Sequence, residues 1–222
     1  MSGSDRVYYN ENDERAAAWL RALIQQKVLP DGEVDTRSIV DVQARDLASF
    51  TQCHFFAGIG GWAWALRLAG WPAGREVWTG SCPCQPWSVA GKSEGANDPR
   101  HLWPAWFRLL EQRRPATVFG EQVASQDGLY WLDLVYVSLE TIDYAVGALD
   151  LPAACAGAPH GRQRLWFVAD DQRGRPEGLA PARLHADGQP GDDALRRGVN
   201  GRVADAGRDG AGEHPRKLSG DE

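Results

Sequence analysis

Apolar residues recur with a helical period in four stretches of the chain. In "ERAAAWLRALIQQ", Trp19, Leu20, Leu23 and Ile24 share one face. In "GWAWALRLAG", Trp62, Ala65, Leu66 and Ala69 do the same, and Gly70 suits a helix end. "HLWPAWFRLLEQ" aligns Leu102, Trp106 and Leu109, with Pro104 early enough to be tolerated. "DGLYWLDLVYVSLETI" aligns Leu132, Val135, Tyr136 and Leu139. Between these lie short apolar or β-branched runs: "SIVDV", "CHFFAG", "EVWTG", "TVFGEQV", "YAVGALDL" and "RLWFVAD". They have the length of buried strands, and several end in glycine or turn residues.

Strands alternating with helices predict an α/β fold, a Rossmann-like sheet with helices on both faces. Ligands of such sheets sit beyond the carboxyl ends of the strands. "FFAGIGG", "TGSCPCQ" and "FGEQV" all fall at that edge.

Composition divides the chain. All ten tryptophans, and every Phe and Tyr, lie before residue 171. The rest is Gly, Arg, Asp and Pro of mixed charge, too poor in apolar surface to offset its ordering entropy. Residues 1–170 are therefore expected to form the folded domain and 171–222 a flexible tail or linker. A formal net charge of -6 argues against general coating of nucleic acid and leaves room for a local basic cleft. Cysteines at 53, 82, 84 and 155 make no dense disulfide framework. No apolar run approaches the roughly 20 residues of a membrane span. The polar start "MSGSDRVYYNENDERAAAW" is not a secretory signal. A soluble, cytoplasmic protein with no membrane partner is the expectation.

"HFFAGIGGWA" reads as strand, glycine turn and helix start. Gly58, Gly60 and Gly61 remove side chains where a backbone must approach a ligand. The dinucleotide fingerprint also asks for an acidic residue ending the next strand, and Glu76 precedes its strand instead. In "GSCPCQPWS", Cys84 follows a strand and a proline, and a thiolate there could act as a nucleophile. A zinc site would need Cys53-His54 or Cys155 and His160, neither in a usual ligand pattern, so no metal is expected. Glu121 emerges at a strand end, where a solvated or capping role is the plain alternative. Arg162 and Arg164 stand two residues apart before a strand and could grip a phosphate or base edge, or form a surface pair.

Taken together, "FAGIGG", "GSCPCQPWS", "GEQV" and "GAPHGRQRLWFVAD" resemble the ordered signature blocks of DNA cytosine-5 methyltransferases of bacterial and phage type, the kind found in restriction-modification systems. The resemblance covers about residues 8–170. It implies an S-adenosylmethionine-dependent methyltransferase sheet, with the cofactor on the glycine loop: Phe56, Ala57, Gly58, Gly60 and Gly61, with Pro83 close by. It implies that Cys84 is the nucleophile, assisted by Glu121, Arg162 and Arg164, and that DNA is the partner. Cys82 then stands as a packing neighbour at a position usually apolar.

One departure concerns chain order. Only about 20 residues separate the glycine loop from the Pro-Cys-Gln block, where the family normally fits two more strands. "YYNENDERAAAWLRALI" resembles the missing ribose block and "VDTRSIVDV" the missing adenine block, and both precede the glycine loop. The expectation is a permuted order: strand 2, its helix, strand 3, then strand 1 and the rest. Glu11 would then bind the ribose hydroxyls and Ile39 pack on the adenine, while Ser38 stands where an aspartate usually receives the adenine amino group. The plain alternative is an N-terminal helical extension with an exposed Glu11. A second departure is that the family's target-recognition domain and final Asn-bearing segment are not recognisable in 171–222. A separate polypeptide supplying target recognition, an inert methylase-like binding module and an RNA cytosine methyltransferase remain alternatives.

Overall fold

Five of the six runs that the patterning marks as buried strand lie in one seven-stranded sheet. The computed structural model describes residues 6–83 and 102–173. In chain order the elements are β1 (Val7–Asn10), α1 (Glu14–Gln25), β2 (Gly32–Asp35), a 3-10 turn (Ala44–Leu47), β3 (Gln52–Phe55), α2 (Gly61–Leu68), β4 (Val77–Gly80), α3 (Trp103–Arg113), β5 (Thr117–Val123), α4 (Gln126–Glu140), β6 (Tyr144–Pro152) and β7 (Gln163–Asp171). Across the sheet they run β2-β1-β3-β4-β5-β7-β6. The first five are parallel, and β7 is antiparallel to both its neighbours. The fold is thus a mixed α/β sheet with helices on both faces. Its order puts the glycine-loop strand β3 in the middle of the five parallel strands, with the two N-terminal strands outside it, as the permuted arrangement requires.

The sixth run, "SIVDV", is not a strand. Its Ser38–Asp41 stretch turns back on a Ser38 carbonyl accepting the Asp41 amide at 3.0 Å or less (2.9 Å). The strand instead forms over Gly32–Asp35, a polar run, because an edge strand needs little apolar cover. Ile39 and Val42 are buried in the core as anchors of the return.

Every residue of β1, β3 and β4 is buried, as expected of parallel strands covered on both sides. One core layer joins Tyr8, Phe55, Trp78 and Phe167 to α3 and α4 through Trp106, Leu109, Trp131 and Val135. The other joins Val7 and Tyr9 to Leu20 of α1, Leu29 and Ala63 of α2. Two helix faces differ from the pattern-based expectation. In α1, Ala17 and Leu20 are buried while Trp19 is 55% exposed, because small Ala17 lets the helix approach the sheet and turns Trp19 to its flank. In α2, Ala63 and Leu66 are buried, whereas Ala65 and Ala69 are exposed. Trp64 and Leu68 are exposed as well, so apolar residues lie on both sides of α2 and the pattern misplaces its buried face.

The crossovers carry a topological anomaly. α1 and α2 lie over the same face, yet β1–α1–β2 steps toward the β2 edge and β3–α2–β4 steps the other way. The β2-to-β3 and β4–α3–β5 connections cross the opposite face toward β6, so they share the hand of β1–α1–β2. Only β3–α2–β4 has the other hand. Such connections share one hand, the right, in about 98% of cases, so two opposite hands within one sheet are unusual. The reversal follows directly from the strand order: the helix after the glycine turn stays on its usual layer, while the chain leaves for the strand on the other side.

Candidate active site at the carboxyl edge of the sheet

The carboxyl ends of β1, β3, β4 and β5 are neighbours, so the segments leaving them meet along one edge. From β1 comes "NENDER". Asn10 is buried; its Nδ2 donates to the Arg37 carbonyl at 2.9 Å and its own carbonyl accepts the Ala57 amide at 3.0 Å. Glu11 follows. One carboxylate oxygen accepts the Asp13 amide at 2.9 Å, and the other accepts the Gly58 amide at 2.7 Å. Asp13 caps α1 by accepting the Arg15 and Ala16 amides. The N-terminal block and the glycine turn are therefore one hydrogen-bonded unit.

The turn after β3 is held in left-handed backbone: φ is 51° at Phe56, 53° at Gly58 and 82° at Gly60. A bulky residue at positive φ is an outlier that costs on the order of 1 kcal/mol or more, and such strain gathers at ligand clamps. Phe56 is steadied by an edge contact on Trp106, with centroids 6.1 Å apart. Ala57 packs with Val7 and Tyr9. A Cβ on Gly60 would lie 2.4 Å from Leu29 Cδ1, so this glycine is required by packing. Cβ atoms on Gly58 and Gly61 would meet nothing within 4 Å, so the backbone there faces open space. Ile39 is only 2% exposed, inside the core, and Ser38 begins the turn beside it. At the end of β2, Asp35 accepts the Tyr8 hydroxyl at 2.7 Å and pairs with Arg37, which also reaches Asp46. The Arg37 guanidinium and the Tyr8 hydroxyl hold the Asp35 carboxyl below its usual range against the opposing effect of burial, which is the largest single influence.

The segment leaving β4 leads to the cysteine loop. Ser81 accepts the Trp62 indole N–H at 3.1 Å, and the Cys82 carbonyl accepts the Gln122 side-chain amide at 2.9 Å. Cys82 is buried in the core and Pro83 is exposed. Cys84 lies outside the described residues. From β5, Glu121 meets Arg164 of β7, Nε to Oε1 at 2.5 Å, both side chains largely buried. The register pairs Val123 with Arg164 and Glu121 with Trp166, so Glu121 and Arg164 share a sheet face. Arg162 is exposed before β7; its carbonyl accepts the Ala153 amide at 2.8 Å and its side chain takes no part in the Glu121 pair.

The competing motifs fall elsewhere. Glu76 accepts the Ala116 amide at the other edge of the sheet. Cys53 and His54 point to opposite faces: Cys53 joins one core, while His54 Nδ1 lies 2.8 Å from Thr79 Oγ1. Burial pushes the His54 imidazole down to about 3, so it is neutral. Among the described residues no group of three or more His, Cys, Asp or Glu is placed to hold a metal ion. No helix among them is long and apolar enough to cross a membrane. Sequence reasoning missed Asn10 and Gln122, although both lie within quoted blocks.

A family profile described as C-5 cytosine-specific DNA methylase matches residues 71–188, just over half of the chain. The chain belongs to this family. Among individual methylases, it is 30% identical over 103 residues to the type II methyltransferase M.HgiBI of Herpetosiphon aurantiacus, covering 45% of this chain and 24% of that protein. To M.HhaI of Haemophilus parahaemolyticus it is 31% identical over 98 residues, covering 42% and 30%. The chain thus spans about a quarter of the length of these curated relatives. The structure is similar to a mutant DNMT2 of Spodoptera frugiperda at TM-score 0.49 and 14% identity, covering 81% of this chain and 54% of that one. It is also similar to a methyltransferase encoded within an Escherichia coli prophage, at TM-score 0.45, 15% identity, 76% and 47% coverage. Methylases of this family use S-adenosylmethionine.

Proposed function

We propose that this chain carries out cytosine-5 methylation of DNA. The observation that bears most of the weight is the Glu121–Arg164 pair, which joins β5 to β7 next to β4, whose exit leads to Cys84. The methyl group comes from S-adenosylmethionine, held by the glycine turn (Phe56, Ala57, Gly58, Gly60, Gly61), Pro83 and Glu11. Carbon 5 of cytosine is a weak nucleophile. The Cys84 thiolate adds to carbon 6 and makes the ring enamine-like, so that carbon 5 can attack the methyl group. Glu121 accepts from the exocyclic amine and, carrying a proton on its other oxygen, donates it to ring nitrogen 3 as the thiolate adds, which neutralises the charge that develops on the ring. Arg164, fixed by its ion pair, orients Glu121 and lies within reach of the base oxygen. Arg162, exposed, is suited to a DNA phosphate. After transfer, carbon 5 loses its proton and the thiolate is expelled. A base inside a duplex must first be flipped out, at about a few kcal/mol.

Glu11 is the ribose ligand in this reading. Each carboxylate oxygen already accepts one amide and keeps a lone pair for a hydroxyl. Ile39 contributes from beneath, as a buried support for the adenine side of the pocket.

DNA containing 5-fluorocytosine tests the chemistry, because fluorine cannot leave as the proton does. A cofactor-dependent adduct that vanishes in Cys84→Ala supports the reading. The second reading is an inert cofactor-holding module. Cofactor binding without adduct or methyl incorporation would establish that one instead.

A further inference from the structure

We propose that Gln122 is a positioning residue that sets the cysteine loop against Glu121. It rests on the functional reading above for its catalytic consequence. The side chain is buried at 4% exposure, and both ends of its amide are committed. Its Nε2 donates to the Cys82 carbonyl at 2.9 Å, 40 residues away. Its Oε1 accepts the Val123 amide at 2.8 Å. The second contact fixes which end of the amide faces the loop, so the Cys82 carbonyl always meets an N–H.

The strand supplies the rest. Successive side chains of β5 alternate between faces. Glu121 therefore points to the face it shares with Arg164, while Gln122 points into the layer that holds Cys82. Two adjacent residues of one strand thus divide the work: one addresses the base, and the other holds the backbone two residues before the nucleophile. From the opposite layer, Trp62 holds Ser81, one residue earlier. Because Trp62 begins the helix that follows the glycine turn, the cysteine loop is tied both to the cofactor side and to the Glu121 strand. A buried amide with both ends committed is what such a clamp needs, since it can turn only by giving up both hydrogen bonds.

The test is Gln122→Glu, which keeps the shape and the Val123 contact but turns an oxygen toward the Cys82 carbonyl. Gln122→Met, which removes the donor without adding charge, guards against a purely electrostatic effect. Three quantities are measured in the full chain: the rate of 5-fluorocytosine adduct formation, S-adenosylmethionine affinity, and amide hydrogen exchange of a peptide spanning residues 78–90. Misplacing a reacting group by about 1 Å can cost on the order of a hundredfold in rate. A fall of that order in adduct rate, with cofactor affinity within about twofold and faster exchange in the 78–90 peptide, supports the clamp. Unchanged adduct rate and exchange overturn it. An equal loss of cofactor affinity in both variants also overturns it, because it marks a general structural role. If the unaltered chain forms no adduct, the functional reading fails on its own account. Exchange of the 78–90 peptide then decides the clamp, unchanged protection in both variants being the overturning result.

Discussion

The Glu11 carboxylate accepts the Gly58 amide at 2.7 Å across 47 residues of chain. That bond joins two segments which the strand order has placed side by side but the sequence holds apart. β1 and β3 are paired with Asn10 opposite Phe55, so the residues just beyond each strand end meet.

Glu11→Ala is expected to weaken S-adenosylmethionine binding. Hydrogen bonds to a charged group contribute about 1.5–3 kcal/mol, which corresponds to roughly a tenfold to hundredfold rise in Kd by calorimetry. Glu11→Gln, which keeps one acceptor, should fall between. Unchanged affinity in Glu11→Ala would leave this residue only the structural role of holding the Gly58 and Asp13 amides.

The two glycines at the head of α2 should respond in opposite ways. Gly60→Ala places a Cβ 2.4 Å from Leu29 in left-handed backbone and should lower stability by about 1–3 kcal/mol. Gly61→Ala meets open space at a helical position, and without ligand should be neutral or stabilising by up to about 1 kcal/mol. Yet Gly61→Ala should weaken cofactor binding if the glycine turn holds the cofactor as proposed, because its methyl would stand between the ligand and the backbone. Thermal melts with and without S-adenosylmethionine separate the two effects.

Arg164→Ala should cut the methylation rate by about a hundredfold by freeing Glu121, comparable to losing one preorganised donor. Arg164→Lys should recover only part of it, since an ammonium lacks the planar fork. Single-turnover rates on DNA, compared with melting temperatures, distinguish this from a loss of fold.

His54 predicts an acid limb to stability. Its folded pKa, about 3, lies below the unfolded value, so the unfolded chain binds the extra proton. Stability is therefore complete above roughly pH 6.5 and declines as pH falls toward 3, by about 2 kcal/mol at pH 5. His54→Asn should flatten the dependence between pH 7 and 5. Denaturant unfolding at several pH values measures it; an unchanged slope in the variant would assign the limb to other groups.

Strand positions were legible where both faces are buried, because a run such as "EVWTG" can be little else. β2 was not, since an edge strand of "GEVD" hides no apolar pattern, and attention passed to the more apolar "SIVDV". The orientation of α2 was illegible for the converse reason: too many of its residues are apolar to mark a face. The motif blocks placed Glu121 and Arg164 together before any geometry was known. Gln122 escaped notice because its partner is a backbone carbonyl, and a main-chain atom leaves no mark on the residue that owns it.

The place of β3 in the middle of the five parallel strands has a consequence for synthesis. On the ribosome the β1–α1–β2 unit emerges first, with the inner side of β1, "VYYN", still lacking its neighbour. That side stays open until β3 is made and inserted, and β3 must then wait for β4 on its own far side. A nascent chain stopped before residue 52 carries a bare, aromatic strand edge, the kind that pairs with other copies. Moving the first two strands to the front of the gene thus makes early chain release a route to aggregation.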